Sequence, residues 1–248
     1  MSFLEQVKTG IQCGPRRAMI VGVHGVGKST WAAQADSPIF MPTEDGLADV
    51  DCTSLPLMKS LDDVKAAIRE LYREEHGFKT LVVDSVDWLE RLIWDVICLD
   101  KGVKDISEIG FGVGYSLALA EWAKMLEGFS RLRDDKGMAI VLIAHAKIER
   151  FHDPTSDSYD RYSPKLHKGA SALCQEWCDE VLFANYRVFT KEKEEGFNKK
   201  RTIGIGSGER VLYTTDRPAH IAKNRLGLPD EIPMTWDAYA SHFPKEGE

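Results

Sequence analysis

A glycine-rich stretch, GVHGVGKST, directly follows the short apolar run AMIV near the start of the chain. Its spacing, G-x-x-x-x-G-K-[ST], is typical of a loop that binds phosphate groups. The glycines allow a tight turn that points backbone N–H groups at phosphate oxygens, and the helix that begins there adds its positive end. The sequence therefore predicts a nucleotide site formed by Gly22, Val23, His24, Gly25, Val26, Gly27, Lys28, Ser29 and Thr30.

Two side chains of this loop have specific predicted roles. We expect Lys28 to reach the β- and γ-phosphates of ATP, and the Ser29 hydroxyl to ligate Mg²⁺. Magnesium also needs an acid at the end of a neighbouring strand, and the apolar run TLVVDS supplies Asp84. ATP and Mg²⁺ are therefore the predicted cofactors, with Ser29 and Asp84 as the metal ligands.

The residue after Asp84 is Ser85, whose hydroxyl is not a base that could activate the attacking water. The group that activates this water must therefore lie elsewhere in the chain. Glu44 follows the short strand PIFMP and can orient a water at the same edge of the sheet, although a plain turn acid is the alternative. His145 ends the run VLIAH, where it can contact the γ-phosphate and sense the nucleotide, or serve the structure alone. We interpret Asp87 and Glu90 as part of the solvated first turn of the next helix.

These residues need a scaffold in which strands alternate with helices. Apolar runs predict strands at AMIVGV, PIFMP, TLVVDS and MAIVLIAH, and helical periodicity lies between them. The pattern predicts an α/β fold, with a mostly parallel sheet and helices on both faces of it. The runs EVLFANYRVF, RTIGIG and RVLYTT predict an antiparallel hairpin at the C-terminal edge of the sheet, and AKIERFHDPTSDSYDRYSPKLHKGA predicts a polar loop.

Length and composition set further bounds. The 248 residues are enough for one full core, and we expect a single domain over 1–230 with a Pro-rich surface tail at 231–248. A net charge of −7 gives no general attraction to nucleic acid, so such binding must come from local loops. Five irregularly placed cysteines indicate reduced thiols and a cytoplasmic location, and no apolar run is long enough for a membrane span.

The chain resembles the RecA-like P-loop ATPase core through several segments in order: GVHGVGKST, PTEDGL, TLVVDSVDWLE, GFGVGYSLALAEW, VLIAHAK, YDRYSPKLHKGA and AKNRLGLP. The resemblance is closest to small phage-encoded ATP-binding recombination proteins that anneal single strands. It implies ATP-dependent binding of single-stranded DNA, with annealing or strand exchange in a ring or filament. It also implies slow ATP hydrolysis that is stimulated by DNA or by assembly. The implied partners are single-stranded DNA, further copies of the chain and a single-strand binding protein, in the host cytoplasm.

In RecA-like proteins two loops hold DNA, and both have counterparts here. The first follows the helix after Asp84 and carries Lys101, Lys104, Phe111 and Tyr115. The second follows His145 and combines cations with rings, which suits sequence-tolerant binding of single strands. Its predicted DNA-binding residues are Lys147, Arg150, Phe151, Arg161, Tyr162, Lys165 and Lys168. A flexible lid or a contact between subunits is the alternative for this second loop.

The segment AKNRLGLP carries Lys223 and Arg225 just after the predicted edge hairpin. The pair resembles the finger of RecA-like helicases, which reaches the γ-phosphate in a neighbouring subunit and makes hydrolysis depend on assembly. A basic surface patch is the alternative. The charged run KEKEEGFNKKR at 191–201 is interpreted as a solvated hairpin tip.

The leading function is therefore that of a DNA-recombination ATPase. A minimal ring helicase or translocase is a second interpretation, because the same core and finger serve both. A nucleotide-gated oligomeric switch that never touches DNA is a third, favoured by the nearly neutral second loop and the acidic net charge.

Overall fold

A computed structural model describes residues 2–7, 9–10, 14–154, 157–194 and 200–244. The strands are β1 Arg17–Gly22, β2 Pro38–Pro42, β3 Thr80–Asp84, β4 Ala139–Phe151, β5 Tyr159–Pro164, β6 Glu180–Glu194, β7 Lys200–Tyr213 and β8 Glu231–Pro233. The helices are α1 Lys28–Ala32, α2 Leu61–Arg73, α3 Val86–Lys101, α4 Val113–Lys136, α5 Lys168–Trp177 and α6 Trp236–Ala240. No helix in these described ranges is long and apolar enough to cross a membrane.

The sheet has the strand order β2-β3-β4-β1-β6-β7-β8. The first five strands of this order pair in parallel, whereas β7 pairs antiparallel with both β6 and β8. The strand β4 lies between β1, which ends at the glycine-rich loop, and β3, which ends in Asp84. The predicted α/β fold, with its mostly parallel sheet and antiparallel C-terminal hairpin, is confirmed.

Both faces of the central strands are buried, which explains their continuous apolar runs. In β1, Met19 and Val21 pack into one core with residues of α2, α3, α4 and α5. Ala18 and Ile20 point to the opposite face, into a second core with α1 and the C-terminal segment. The two cores fix the sheet from both sides, and the carboxyl ends of the parallel strands meet at one edge.

The polar loop predicted after His145 is instead a β-hairpin. The strand β4 continues to Phe151 and pairs antiparallel with β5. Its cross-strand partners explain the pairing, since opposite charges face each other at Glu149 and Arg161, and rings face each other at Phe151 and Tyr159. The loop prediction was wrong because the charged residues of this stretch pair across two strands, which the sequence of either strand alone does not show.

The C-terminal segment is part of the core and not the predicted surface tail. The strand β8 pairs with β7 through Ile232 and Leu212. The ring of Trp236 lies 4.8 Å from that of Trp31, both measured between centroids, and Trp236 is only 8% exposed. The Tyr239 hydroxyl donates a hydrogen bond to the buried Glu180 carboxylate at 2.9 Å. Residues 231–244 therefore complete the second core.

The predicted edge strands differ in one further respect. RTIGIG and RVLYTT form parts of a single long strand, β7, rather than two short ones. Residues 195–199, within the run interpreted as a solvated hairpin tip, lie outside the described part of the chain.

We predict that Trp236→Ala lowers the free energy of unfolding by about 3 kcal/mol, because it empties a packed aromatic site. Urea denaturation followed by circular dichroism measures this loss. Trp88→Ala, at a ring that is 37% exposed, is the matched control and should cost under about 1 kcal/mol. A loss at Trp236 no larger than that at Trp88 would mean that the C-terminal segment does not belong to the core.

Candidate nucleotide site

The glycine-rich loop joins β1 to α1 and forms one wall of an open cleft of about 370 Å³. Gly27 has a φ of 98°, a left-handed backbone conformation that glycine adopts readily and residues with a side chain rarely adopt. The backbone amides from Gly25 to Ser29 donate no hydrogen bond within the described chain. Unused amides at the start of a helix are suited to bind an anion.

Lys28 is buried at the base of this loop. Its ammonium donates hydrogen bonds to the carbonyl oxygens of Gly22 and Val23, each at 3.1 Å. Burial lowers the pKa of Lys28, while the nearby carboxylates of Asp84, Asp87 and Glu44 act in the opposite direction. The ammonium is therefore held inside the loop, next to the amides that would bind phosphate.

Ser29 and Asp84 come together as predicted from their positions in the sequence. The Ser29 hydroxyl donates a hydrogen bond of 2.6 Å to Asp84 Oδ2, at the end of β3. Burial raises the pKa of Asp84, as does the neighbouring carboxylate of Glu44. Two oxygen ligands side by side at the phosphate loop fit the hard Mg²⁺ ion, whose charge would offset the cost of burying this carboxylate.

Glu44 lies in the same cleft. The end of β2 is attached to the end of β3 because Thr43 N donates to Asp84 O at 2.8 Å and the Thr43 hydroxyl donates to Ser85 O at 2.6 Å. The next residue, Glu44, lines the cleft with one carboxylate oxygen 3.8 Å from His145 Nδ1. The neighbouring Asp45 is exposed and does not line the cleft. This geometry favours Glu44 over Asp45 as the group that orients water.

His145 is fixed by Asp87, which is buried and not part of a solvated helix turn as we had expected. The Asp87 carboxylate accepts hydrogen bonds from the His145 backbone N and from Nδ1, both at 3.1 Å. Burial alone would raise the pKa of Asp87, but the hydrogen bonds from His145 outweigh it and the net pKa is lowered. The interpretation of Asp87 was wrong because position in a first turn does not determine which side of the helix faces the sheet.

His24 of the glycine-rich loop stacks on His145, with ring centroids 4.2 Å apart. The pKa of His24 is lowered, chiefly because a charge on His145 would repel a second one and to a smaller degree by partial burial. The exposed His24 ring thus forms a direct contact between the phosphate loop and His145 in β4. The sequence predicted His24 only as a member of the loop, and nothing in the sequence indicated this stacking.

Glu90, one turn further along α3, is also buried, so its interpretation as a solvated residue was wrong as well. Its Oε2 accepts a hydrogen bond from His167 N at 2.9 Å. Burial raises the pKa of Glu90 to about 7. His145 lies in β4 where the β4–β5 hairpin begins, and His167 follows the end of β5. Two consecutive turns of α3 therefore hold the two ends of this hairpin.

Three of the predicted DNA-binding residues have contacts within the chain. The Lys147 ammonium donates to Leu166 O at 2.9 Å, and Arg161 forms an ion pair with Asp216. The Tyr162 ring packs 5.0 Å from the Phe183 ring at the edge of the main core. These three side chains support the hairpin rather than extend from it.

The other four predicted DNA-binding residues of the hairpin are more accessible. Phe151 is 38% exposed and lies 5.4 Å from the Tyr159 ring. Arg150 has only a long contact with Asp160, at 3.4 Å, while Lys165 and Lys168 are exposed. Positive charge and one open ring are therefore available at this surface.

The first predicted loop, between α3 and α4, contains one ring with an unusual environment. Phe111 is fully exposed, with a φ of 55° between two glycines, a backbone conformation that non-glycine residues rarely adopt. Tyr115, by contrast, stacks on the His167 ring at 4.2 Å, so it packs inside the structure. Of the two rings, that of Phe111 is the more exposed.

Lys223 and Arg225 lie towards the other end of the sheet from the phosphate loop. Lys223 pairs with Val181 near the start of β6, and its ammonium donates to three carbonyl oxygens at the end of α5, those of Gln175, Glu176 and Cys178. Arg225 is 53% exposed on its side chain and contacts Asp179 at 3.1 Å. Lys223 therefore caps a helix in its own chain, and only Arg225 retains an exposed charge that a neighbouring subunit could meet.

The fold and the site together define a class. A loop of unused amides, a buried lysine and a serine–aspartate pair at one edge of a parallel sheet characterise P-loop nucleotide-binding proteins. The family of AAA domains matches residues 14–226, and the chain belongs to that family. Among solved structures, the crystal structure of the RadB recombinase is similar, with 12% sequence identity, 81% of each chain covered and a TM-score of 0.47. No curated protein matches the sequence.

Sequence reasoning did not name Asp49, which lines the cleft, and gave Asp87 and Glu90 a solvated position although they contact the ends of the hairpin. The spacing of Asp87 and Glu90, three residues apart on the helix that follows Asp84, places both on one face. This spacing could have identified the pair, because a helix face that carries buried aliphatic residues such as Leu89 and Ile93 can also turn acids towards the sheet.

We predict that Glu44→Gln retains ATP binding but lowers ATP turnover by roughly 10² or more, because an amide cannot accept a proton. Single-turnover hydrolysis and equilibrium binding of a fluorescent ATP analogue separate the two effects. Asp45→Asn is the matched control and should leave turnover unchanged. If Asp45→Asn has the large effect and Glu44→Gln does not, the wrong carboxylate has been chosen.

Proposed function

We propose that this chain is an ATP-hydrolysing, RecA-like protein that binds single-stranded DNA and works as an assembly in phage-type recombination, by strand annealing or exchange. One arrangement supports this function more than any other. The Ser29–Asp84 pair, Glu44 and His145 face one cleft, and His145 also begins the β4–β5 hairpin. A nucleotide site is thereby connected to a cationic surface by a single strand.

The residues of the cleft have separate roles in hydrolysis. Lys28 would move its ammonium from the loop carbonyls to the phosphates, where the unused amides already provide hydrogen-bond donors. Bound Mg²⁺, held by Ser29 and Asp84, would supply positive charge to the phosphate oxygens. Glu44 would orient the attacking water and accept its proton. His145, fixed by Asp87, would then contact the group that is cleaved.

The same histidine can pass the nucleotide state to the hairpin. A shift of His145 towards the γ-phosphate would change its hydrogen bonds to Asp87 and to Lys165. The Lys165 backbone N donates to His145 O at 2.7 Å. Glu90 holds the other end of the hairpin through the backbone of His167, so both ends are anchored to α3 and the hairpin can move as a rigid unit. This supports an ATP-dependent change at the surface that carries Phe151 and Arg150.

Single-stranded DNA fits this surface because cations can follow the phosphate backbone while rings stack on bases. Among the described residues of the two predicted DNA-binding loops, Phe151 and Phe111 have the most exposed rings. Lys165 and Lys168 are exposed and follow β5, close to the point where the Lys165 backbone N donates to His145 O. Arg225, if it meets the nucleotide of a neighbouring subunit, would make hydrolysis depend on assembly.

A nucleotide-gated switch that does not bind DNA is the second candidate, and one observation favours it. Several cations of the hairpin pair with acids, namely Lys147 with Glu149, Arg150 with Asp160 and Arg161 with Asp216. These pairs reduce the charge that DNA would meet. The pairs of Lys147 with Glu149 and of Arg150 with Asp160 are largely exposed, however, and such pairs are weak, so a phosphate backbone can compete with them.

We predict that a fluorescent oligo-dT strand binds the protein more tightly with a non-hydrolysable ATP analogue than with ADP, and that affinity falls with rising salt. Replacing both Phe151 and Phe111 by Ala should weaken binding about thirtyfold or more, because each stacked base contributes about 1–3 kcal/mol. Fluorescence anisotropy measures both effects. The salt dependence should change little, because the two rings carry no charge.

Trp88→Ala, at a ring outside both loops that is about as exposed as Phe151, is the matched control and should bind like the wild type. The absence of DNA binding in every nucleotide state, in a protein that still binds ATP, would favour the switch instead. Equal binding by the double variant and the control would exclude these two rings as the stacking surface.

A further inference from the structure

A groove of about 410 Å³ runs between α2 and α4, and it shares no lining residue with the nucleotide cleft. Two helices that pack side by side leave such a groove when a small residue stands at the contact. Gly128 of α4 is that residue here, because a Cβ atom there would lie 3.2 Å from Cγ2 of Ile68 on α2. Ile68 thus forms an apolar floor that no side chain from position 128 covers.

The rim of this groove is cationic. Arg69 and Arg73 of α2 are exposed and form no ion pair with any described residue. Lys124 and Arg131 of α4 border the opposite side. Their partners, Glu121 and Glu127, lie three and four residues away on the same helix.

Exposed pairs of this kind contribute little and leave the cations able to change partner. The lining therefore contains four cations and one carboxylate, Glu127, in a chain whose net charge is −7. Such a concentration of positive charge, with two unpaired arginines, is the opposite of the chain's general character. It indicates a ligand that is negatively charged.

We propose that the α2–α4 groove is a docking site for an acidic peptide segment of a partner protein, which places an apolar side chain on Ile68 and carboxylates against Arg69 and Arg73. An apolar floor between two helices, bordered by cations, matches the way in which grooves hold amphipathic segments. Arginine suits the task because its planar guanidinium binds a carboxylate through two hydrogen bonds.

Nucleic acid fits the groove less well than a peptide. Only one ring, that of Tyr72, lines it, and the Tyr72 hydroxyl donates to Asp135 at 2.9 Å, which fixes its position. Binding of single strands without sequence preference uses several rings along a continuous cationic path. A floor of aliphatic carbon offers a base little stacking, whereas it suits a leucine or a phenylalanine of a peptide.

The test uses the full chain and a fluorescein-labelled peptide of about ten residues, in which aspartates flank a central leucine. Anisotropy should show saturable binding that weakens with salt. Arg69→Glu with Arg73→Glu should weaken binding about tenfold, since two ion pairs are lost. Arg69→Lys with Arg73→Lys should retain most of it. Lys59→Glu with Arg91→Glu changes the net charge equally outside the groove and is the matched control.

The peptide also has its own control, in which serine replaces the leucine and which should bind several-fold more weakly. Binding of the ATP analogue, expected to be unchanged in all variants, verifies the fold without involving the groove. The docking site is excluded if the groove variant and the Lys59/Arg91 control lose the same affinity, because general charge then explains the binding. It is excluded also if the serine peptide binds equally well, or if oligo-dT displaces the peptide and depends on Arg69 and Arg73 in the same way.

Discussion

Parallel pairing of β1, β4 and β3 is the constraint on which the site depends. In register, Gly22 of β1 lies beside His145 of β4, and Asp84 of β3 lies beside Ile143 two residues earlier. Parallel strands end at the same edge, so the phosphate loop, His145 and the acid that pairs with Ser29 meet there without any long connection. A change of register in β4 by one residue would turn His145 to the other face of the sheet and break this arrangement.

Two buried carboxylates of α3 also fix the position of the β4–β5 hairpin relative to the sheet. Asp87 holds its beginning through His145, and Glu90 holds its end through the backbone of His167. Hydrogen bonds to charged groups contribute about 1.5–3 kcal/mol each, and a buried acid that loses its donor costs more. The hairpin base is therefore fixed, and movement at the nucleotide is expected to reach the exposed residues beyond it. The groove between α2 and α4 lies outside this connection, so a partner there need not alter hydrolysis.

The sequence predicted those features that depend on local pattern. The apolar runs predicted β1, β2 and β3 and the central sheet, and the glycine spacing predicted the loop that contains Lys28 and Ser29. Asp84 was found because a single acid ends a buried strand. Each of these features is determined by residues that are neighbours in the chain, which is the information that periodicity and spacing contain.

Features that depend on contacts between distant segments could not be predicted in the same way. The stacking of His24 on His145, the hydrogen bond from His167 N to Glu90 and the packing of Trp236 on Trp31 all join residues far apart in sequence. The hairpin was missed because its charged cross-strand pairs resemble a solvated loop when each strand is considered alone. The resemblance predicts a finger role for Lys223, whereas its ammonium caps α5, a contact that only the folded chain reveals.

The central claim is that Ser29 and Asp84 form the magnesium site of an ATP-binding cleft. Isothermal titration of ATP, with Mg²⁺ and with EDTA, tests it most directly in the wild type and in Asp84→Asn. Asp49→Asn, at an acid that lines the same cleft without contacting Ser29, is the control. Mg²⁺ should tighten ATP binding in the wild type and in the control but not in Asp84→Asn. An equal gain from Mg²⁺ in all three proteins would contradict the assignment of Asp84, and no ATP binding in the wild type would contradict the nucleotide site itself.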